Sequence, residues 1–340
     1  MEEGFRIWAN PSSPHAEGRR AKAALEDARE RCKRALGWEG ELIFTSGASE
    51  ALWIALNRAK VDRRIVSAVE HDAVFRAAPD AEVVPVHPLG DGPEGSAGMH
   101  GGEVDLDRLP NCTGAVVAVQ DINSETGAGQ PHHAIWPLVR DQGGLLLVDA
   151  SQSAGKGLPP VFDCDMMVIS AHKFGGPIGI GALLVRDFVM LEPIGGHERG
   201  YRQGTENMPA ALGMAAALEA WGSDEGHPMA RAFDAILSLP EALRASGGQL
   251  LRGGMTGSAL ITAVAHPTLS AQALLIRLDA MGFAVSAGSA CSSGTLKKSR
   301  VLDAFGVPDD LAARTIRVSM GWNTTPEDLE RFAAAWASLA

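Results

Sequence analysis

One lysine stands out because of the residues around it. Lys173 lies in VISAHKFGGPIGIGALLV (168–185), between an apolar run typical of a buried strand and a glycine-rich turn. The other six lysines follow helices or turns, lie on a polar helix face or form an adjacent pair. A lysine desolvated at a strand end has a lowered pKa and can act as an amine nucleophile toward an aldehyde cofactor. The pattern favours such a nucleophile, with a solvated surface charge as the alternative.

The segment LIFTSGASEALWIAL predicts an anion site at a helix start. Its strand-like run ends at Thr45, the turn contains Gly47, Ala48 and Ser49, and a helix begins at Glu50. Backbone N–H groups at such a helix start, together with the helix dipole and a serine hydroxyl, bind a phosphate well. Plain helix capping is the alternative. The sequence contains neither a Walker A loop nor a complete dinucleotide fingerprint, so neither ATP nor NAD is favoured.

Polar side chains follow two further apolar runs. Asp149 ends LLLVD, with Gln152 one turn later, and an aspartate placed there can keep the ring nitrogen of a pyridine cofactor protonated. His71 follows the second run and could stack on a planar ring. Helix capping for Asp149 and a structural role for His71 are the alternatives. The neighbours His132 and His133 do not converge on one face of a helix, so we predict no metal site there.

Cys291 lies in VSAGSACSSGT, among small and hydroxylated residues rather than apolar ones. This composition predicts an exposed, flexible loop in which a thiol is available to react. The other cysteines, Cys32, Cys112 and Cys164, are far apart and form no C-x-x-C pair. They are interpreted as small buried hydrophobic residues that neither form disulfides nor bind zinc.

An alternating pattern of elements is available to position these residues. Apolar residues at helical spacing predict a helix over 16–36, ended by Gly37. Short apolar runs predict strands at 42–45, 65–68, 82–86, 115–119, 145–149, 166–170 and 181–185. Strands buried on both faces and separated by helices indicate an α/β fold with a mostly parallel seven-stranded sheet. Ligands bind at the carboxyl ends of such strands.

A second order of elements begins after Trp221, where WGSDEGHP interrupts an alanine-rich helix. The pattern there predicts a smaller α+β domain with strands at 258–265 and 315–320 and helices at 270–281 and 326–339. We therefore divide the chain into a large domain, 12–222, and a small domain made of 1–11 and 223–340. The segment 88–110, rich in Gly, Pro and Asp, is predicted to be a surface excursion.

Composition excludes several classes of partner. The chain has 340 residues with 46% hydrophobic and 21% charged residues, enough for two domains. Its net charge of −11 and pI near 5.4 lack the basic character of a nucleic-acid or anionic-membrane binder. The acidic start MEEGFRIWAN is unlike a signal peptide, and no apolar run is long enough for a membrane span. A cytoplasmic protein with a small-molecule or protein partner is expected.

In this order the motifs resemble those of the cysteine desulfurases of the iron–sulfur-assembly and nitrogen-fixation type. These enzymes belong to class V of the pyridoxal-phosphate (PLP) aminotransferase superfamily. The resemblance covers almost the whole chain. It rests on NPSSPHAEGRRA, FTSGASEA, EHDAV, NSETGAGQP, VDASQSAGK, SAHKFGGPIGIGALLVR, GGHERGYRQGTEN, SAGSACSSGT and TIRVSMGWNTT. It implies PLP-dependent transferase fold type I.

The resemblance also implies roles for individual residues. Lys173 would bind PLP covalently, Asp149 would pair with the ring nitrogen, and His71 would stack on the ring. The implied cofactor-binding residues are Gly47, Ala48, Ser49, His71, Asp149, Gln152, Ser170, His172, Lys173 and, from the neighbouring subunit, Thr205. Arg317 would clamp the substrate carboxylate beside Asn123, and Cys291 would form a persulfide.

The reaction implied is the conversion of L-cysteine to L-alanine, catalysed by Lys173, Cys291 and His71. The sulfur would pass from Cys291 to an acceptor protein such as an iron–sulfur scaffold, and the role of Thr205 implies a homodimer. Within enzymes the alternative is a selenocysteine lyase or another class V lyase. A non-catalytic sulfur-relay protein is the alternative from another class.

Three features depart from the family pattern. MEEGFRIWA leads almost directly to NPSS, where the family has a longer opening segment, so we expect part of the substrate pocket wall to be missing. Ser124 stands where the family has a second asparagine facing the cofactor. The chain ends soon after its last helix, which bears on how a scaffold protein would dock.

Overall fold

The computed structural model describes residues 1–89, 101–156, 163–222, 228–253, 257–287 and 299–340. The strands are β1 (Glu41–Thr45), β2 (Arg63–Ser67), β3 (Glu82–Val84), β4 (Ala115–Gln120), β5 (Leu145–Asp149), β6 (Met166–Ser170), β7 (Gly181–Val185), β8 (Gln249–Leu251), β9 (Ile261–Ala265), β10 (Ser286–Ala287) and β11 (Thr315–Ser319). The α-helices are α1 (Glu2–Arg6), α2 (Ala16–Leu36), α3 (Ala48–Arg58), α4 (Asp72–Ala77), α5 (His132–Asp141), α6 (Met208–Trp221), α7 (Pro228–Ala245), α8 (Ala271–Ala280), α9 (Arg300–Ala304), α10 (Asp309–Ala312) and α11 (Pro326–Ala337).

Within the described ranges, seven strands form the large sheet in the order β1-β7-β6-β5-β4-β2-β3. Neighbouring strands from β6 through β5, β4 and β2 to β3 are parallel. Strand β7 is antiparallel to both of its neighbours, β1 and β6. The sheet is therefore mostly parallel, and its central strands carry the continuous apolar runs that burial on both faces requires.

Helices cover both faces of this sheet. Alternate strand residues point to opposite faces, so Leu146 packs into the layer of α2, α5 and α6, whereas Leu147 packs toward α3 and α4. The predicted helix over 16–36 is confirmed as α2, which ends at Gly37 in the left-handed conformation (φ 64°). Glycine adopts that conformation without steric cost, which explains why the helix stops there.

A second, antiparallel sheet has the order β10-β11-β9-β8. Helices α7, α8 and α11 cover it around a separate apolar cluster that includes the fully buried Trp336. The sequence predicted the central elements of this unit. Thr325 caps α11 through a reciprocal capping box with Asp328, and Pro326 occupies its first turn.

The surface excursion predicted for 88–110 is wrong for part of its length. Residues 101–104 are buried, and the carboxylate-bearing Glu103 is only 5% exposed. The carbonyl oxygen of Glu103 accepts a hydrogen bond from the His87 N–H, and Val104 forms a bridge with Val86. Gly and Pro mark turns in sequence, but this pairing returns the chain to the core. Residues 90–100 lie outside the described ranges.

The division into a large and a small domain stays a prediction. Helix α1, assigned above to the small domain, packs against α6, since a Cβ atom on Gly4 would lie 2.6 Å from Pro209 Cα. Helix α9 likewise contributes Val301 and Leu302 to the same apolar cluster as α2 and α6. Two segments assigned to the small domain, one near the start of the chain and one after residue 299, therefore contact the core around the large sheet.

Candidate active site

The residues singled out in the sequence meet at one edge of the large sheet. In strand register Thr45 lies opposite Gly181, and Gly181 lies opposite Ser170. Along the same edge Asp149 pairs with Gln120 on the neighbouring strand. This is the carboxyl edge of the parallel strands, where polar groups from several loops converge.

A glycine-lined cradle lies at the end of β1. Gly47 precedes α3 with φ 152°, and the space in which its Cβ would lie is open to 4 Å. Gly181 allows this turn to approach the sheet, because a Cβ there would lie 2.8 Å from Gly47 Cα. An open volume in front of a helix of this length fits a phosphate group. Ala48 and Ser49 form the first turn of α3, with Ser49 exposed.

Lys173 follows β6 in a 3-10 turn (Ala171–Phe174) that ends at Gly175 in the left-handed conformation. The expectation that Lys173 is desolvated is wrong for the single chain. The turn carries the residue out of the buried strand, and Lys173 is exposed. Ser170 Oγ and His172 Nδ1 lie 3.0 Å apart beside it. Local desolvation, and then the charges of Lys173 and Lys156, lower the pKa of His172.

The charges of Asp149 and Lys173 both act on His71. His71 Nδ1 accepts the Ala73 N–H at 3.1 Å, so in the neutral ring the proton is on Nε2. Desolvation lowers the pKa of His71, the charge of Asp149 partly offsets this, and the charge of Lys173 lowers the pKa further. Asp149 is 8% exposed, and its Oδ1 accepts the Ser151 N–H at 3.0 Å.

Lys156 is a site residue that the sequence reasoning missed. Its Nζ donates to Gln152 Oε1 at 3.0 Å, four residues earlier on the turn after β5. Burial, followed by the charges of Lys173 and Arg317, lowers the pKa of Lys156 to about 8. The i,i+4 spacing of Gln152 and Lys156 in ASQSAGK was the available signal. The desolvated lysine at this edge is therefore Lys156 rather than Lys173.

Arg317 on β11 brings the second sheet to the site. Its Nη1 donates to the Ser124 carbonyl oxygen at 2.8 Å, and its Nη2 donates to Ser286 Oγ at 3.1 Å. Since its charge also acts on Lys156, Arg317 adds a second cation to this side of the site. Such a pair of cations suits a carboxylate ligand.

Asn123 is 1% exposed, and its side chain organises the loop that contains Ser124. Its Oδ1 accepts the N–H groups of Glu125 and Thr126 at 2.9 Å, and its Nδ2 donates to the Val69 carbonyl oxygen at 3.2 Å. The described contacts give Asn123 a role in loop shape, and its direct contact with substrate stays a prediction.

The described contacts do not connect two of the predicted residues to this cluster. Thr205 is exposed in a turn that also contains Gly204 in the left-handed conformation (φ 86°). Cys291 lies outside the described residues, so its position stays a prediction. The three cysteines interpreted as structural, Cys32, Cys112 and Cys164, are buried thiols, as expected. Burial raises the pKa of Cys32 and that of Cys164 to about 12, which keeps both protonated.

The described ranges contain no group of three or more His, Cys, Asp or Glu residues placed to hold a metal ion. No helix in that part of the chain has the length and apolar character needed to cross a membrane.

The fold and the edge residues together define a class of enzyme. A mostly parallel seven-stranded sheet carries a phosphate-sized cradle, an aspartate and a lysine at its carboxyl edge. This is the architecture of PLP-dependent fold type I enzymes. The open cradle at Gly47 and the buried carboxylate of Asp149 fit the phosphate and the protonated ring nitrogen of that cofactor.

Comparison with known proteins agrees with this class. The profile of the family described as aminotransferase class-V matches residues 3–332. Cysteine desulfurase IscS 1 from Archaeoglobus fulgidus is 32% identical over 354 residues, covering 95% of this chain and 87% of that protein. A cysteine desulfurase from Cereibacter sphaeroides is 35% identical over 344 residues, covering 95% and 86%. A solved structure titled NifS-like protein superposes with a TM-score of 0.84 at 27% identity, covering 99% of this chain and 94% of that one.

The chain belongs to the aminotransferase class-V family, whose members depend on PLP. Among its relatives are proteins named cysteine desulfurase that match it over nearly its whole length.

Proposed function

We propose that this protein is a PLP-dependent cysteine desulfurase. It converts L-cysteine to L-alanine, holds the sulfur as a persulfide on Cys291 and passes it to an acceptor. The observation that carries the proposal is the convergence of Asp149, His71 and Lys173 at the sheet edge, with Arg317 reaching that edge from the second sheet. The cysteine desulfurases among its relatives support the choice of reaction.

The cofactor is assigned to residues of that edge. The phosphate binds at Gly47, Ala48 and Ser49, with Ser170 and His172 beside it and Thr205 from the second subunit. Asp149 would pair with the ring nitrogen, His71 would stack on the ring, Gln152 would bond the ring oxygen, and Lys173 would hold the cofactor covalently. Bound PLP supplies an electron sink for the charge that develops when the substrate loses its Cα proton.

Substrate binding is assigned to Arg317, with Asn123 shaping the adjoining loop. The guanidinium already spans Ser124 and Ser286, so its plane is fixed before a carboxylate arrives. A fixed guanidinium loses little side-chain entropy when it binds a carboxylate. Lys173 would take the proton from the substrate Cα, a general-base role that suits a free amine beside the bound substrate.

Sulfur transfer is assigned to Cys291 because described elements close by in sequence limit its distance from the site. Ala287 pairs with Ile316, the neighbour of Arg317, and Cys291 follows four residues later. Four residues of extended chain span at most about 14 Å. A chain of this length allows the Cys291 thiol to reach a substrate held by Arg317.

The transfer step balances in atoms and electrons. The Cys291 thiolate attacks the substrate sulfur and forms an S–S bond, while the bond between that sulfur and the substrate Cβ breaks. The electron pair of the broken bond stays on the carbon skeleton, Cβ takes up a proton and Cα regains the proton it lost, so the carbon product is alanine. The persulfide sulfur then moves to a thiol of the acceptor, which we infer to be a protein such as an iron–sulfur scaffold. We also infer a homodimer and a cytoplasmic location.

The experiment compares wild type with Cys291→Ser and with the control Cys112→Ser, whose thiol is fully buried. With L-cysteine and no reductant, wild type and the control are expected to gain the mass of one sulfur atom on the peptide containing Cys291. Cys291→Ser is expected to keep the visible PLP absorbance and its response to L-cysteine, but to release little alanine.

Two results would contradict the proposal. Alanine formation by Cys291→Ser at the wild-type rate would favour a selenocysteine lyase or another class V lyase. A wild type with neither alanine formation nor sulfur on Cys291 would favour a non-catalytic relay protein.

A further inference from the structure

The start of helix α9 is fastened to two loops of the active site. Ser299 caps α9, since its Oγ accepts the Leu302 N–H at 3.0 Å. The same hydroxyl donates to Glu125 Oε2 at 2.6 Å, a short bond to a carboxylate. Both hydrogen-bonding functions of Ser299 are thereby used, and Glu125 belongs to the loop that Asn123 organises.

Arg300 links the start of α9 to the loop that contains His71 through hydrogen bonds. Its Nη1 donates to the Ala68 carbonyl oxygen, and its Nη2 donates to the Glu70 carbonyl oxygen at 2.5 Å. Its guanidinium lies 3.9 Å from the ring centroid of Phe75, and Nη2 lies 3.4 Å from Asp72 Oδ1. One side chain thus contacts the residues on both sides of His71 in sequence.

The apolar side of α9 is fixed as well. Val301 and Leu302 are buried in the cluster that underlies the large sheet, and the Leu89 N–H donates to the Phe305 carbonyl oxygen at 3.1 Å. Strand β10, on the other side of Cys291 in sequence, belongs to the second sheet. The segment between Ala287 and Ser299 therefore starts on one sheet and ends against the core of the other.

We propose that Glu125 and Arg300 are positioning residues for sulfur transfer: they hold the start of α9, eight residues after Cys291, against the loops of Asn123 and His71. This inference rests on the proposed function. Fixing the downstream end of a tether limits the volume in which its thiol moves and raises the thiol's effective concentration at the substrate. Glu125 and Arg300 are not among the side chains assigned to bind PLP or L-cysteine, so we expect their loss to act on sulfur transfer rather than on binding.

The test compares Arg300→Met with Arg300→Lys and with the control Arg314→Met. Methionine keeps an unbranched apolar stem beside Phe75 but loses every donor, whereas lysine keeps the charge. Arg314 is a matched control because it also donates to backbone carbonyl oxygens, those of His266 and Pro267, away from this anchor. Holoenzyme is used throughout, so each variant carries its cofactor.

Two readouts separate positioning from a merely structural effect. The first is the concentration of L-cysteine that gives half of the change in visible absorbance, which reports substrate binding. The second is the single-turnover rate at which the peptide with Cys291 gains one sulfur atom. For Arg300→Met we expect unchanged binding and a transfer rate lower by about tenfold or more, with partial recovery in Arg300→Lys and no change in Arg314→Met.

Glu125→Gln provides a second variant if Arg300→Met does not fold. Its carboxamide oxygen is a weaker acceptor for Ser299, so transfer is again expected to slow while binding of L-cysteine is kept. Transfer at the wild-type rate in the folded variants would overturn the inference, as would a parallel loss of substrate binding. A wild type that puts no sulfur on Cys291 would overturn the proposed function itself, which the wild-type sample reveals separately.

Discussion

Buried ionisable side chains are the residues through which pH acts on this fold. His132 begins α5 and is 5% exposed, with Nε2 at 3.5 Å from Asp121 Oδ1. Burial lowers the pKa of His132 to about 4, a hydrogen bond to the Gln120 backbone offsets only part of that shift, and the charge of His133 adds to it. His133, next in sequence, is exposed. The two histidines therefore respond differently to acid.

We predict that His132 weakens the fold in mild acid. Below pH 6.5 the unfolded chain binds a proton at this histidine, whereas the folded chain binds one only near pH 4, so stability is lost as pH falls through that window. Between pH 7 and pH 5 this group alone lowers the free energy of unfolding by about 2 kcal/mol. Urea unfolding at both pH values is expected to show that much less acid loss in His132→Asn than in His133→Asn. An equal acid loss in both variants would refute the assignment.

Single residues also mark the limit of sequence reasoning. The sequence indicated that Lys173 follows a buried strand, and it does, but solvation depends on how the next turn leaves the sheet. That turn exposes Lys173, whereas Lys156, four residues after Gln152, is half-buried and sufficiently desolvated to lower its pKa to about 8. Periodicity reports which face of an element is apolar and says nothing of a turn's path. The solvation of the two lysines could therefore not be predicted.

At the scale of elements, the site depends on how closely the turn after β1 approaches β7. Gly181 begins β7 between Thr45 and Ser170, and a Cβ atom there would lie 2.7 Å from the Ile169 carbonyl oxygen and 2.8 Å from Gly47 Cα. All of these neighbours are backbone atoms, which cannot rotate away. The shape of the phosphate cradle is therefore set by the absence of a side chain at Gly181.

We predict that Gly181→Ala impairs PLP binding. The added methyl group must displace the Gly47 turn, and such overpacking typically costs about 1–3 kcal/mol. Titration of the apoprotein with PLP, followed by visible absorbance, is expected to give an affinity lower by about tenfold or more. Gly222→Ala is the matched control, because its nearest neighbour would be at 3.7 Å and its φ is −81°. Equal affinities in the two variants would show that the cradle tolerates displacement.

Elements were predicted well because burial leaves a clear mark in sequence. The apolar runs at 115–119, 145–149 and 166–170 are confirmed as β4, β5 and β6, since strands covered on both faces carry no polar alternation. The order of the strands in the sheet could not be predicted in this way. Strand β7 lies between β1 and β6 although it follows both in sequence. Neighbour choice depends on packing between distant segments. A local apolar pattern cannot report it.

At the scale of the whole molecule, the segment around Thr205 lies at the protein surface. Thr205 is exposed, and nearby Arg202 is only 9% exposed. Two guanidinium nitrogens of Arg202, Nε and Nη1, have no hydrogen-bond acceptor within the described ranges. A buried arginine with unsatisfied donors is costly, so an acceptor from a second subunit would stabilise it. The same turn would then carry Thr205 to the neighbouring cofactor site.

We predict that two inactive variants restore each other's activity in a mixed dimer. If Thr205 serves the phosphate site of its partner, a heterodimer of Lys173→Ala and Thr205→Ala subunits has one site with both native residues and one with neither. Equal mixing with free exchange makes half of the dimers heterodimers, and each heterodimer has one intact site out of two. About a quarter of wild-type activity is therefore expected from a two-fold symmetric assembly. Alanine formation measures the recovery, and native mass spectrometry measures the exchange. As a control, Lys173→Ala is mixed with the double variant Lys173→Ala/Thr205→Ala, which cannot assemble an intact site. Activity no higher than the mean of the two parents, despite complete exchange, would place Thr205 in the site of its own chain.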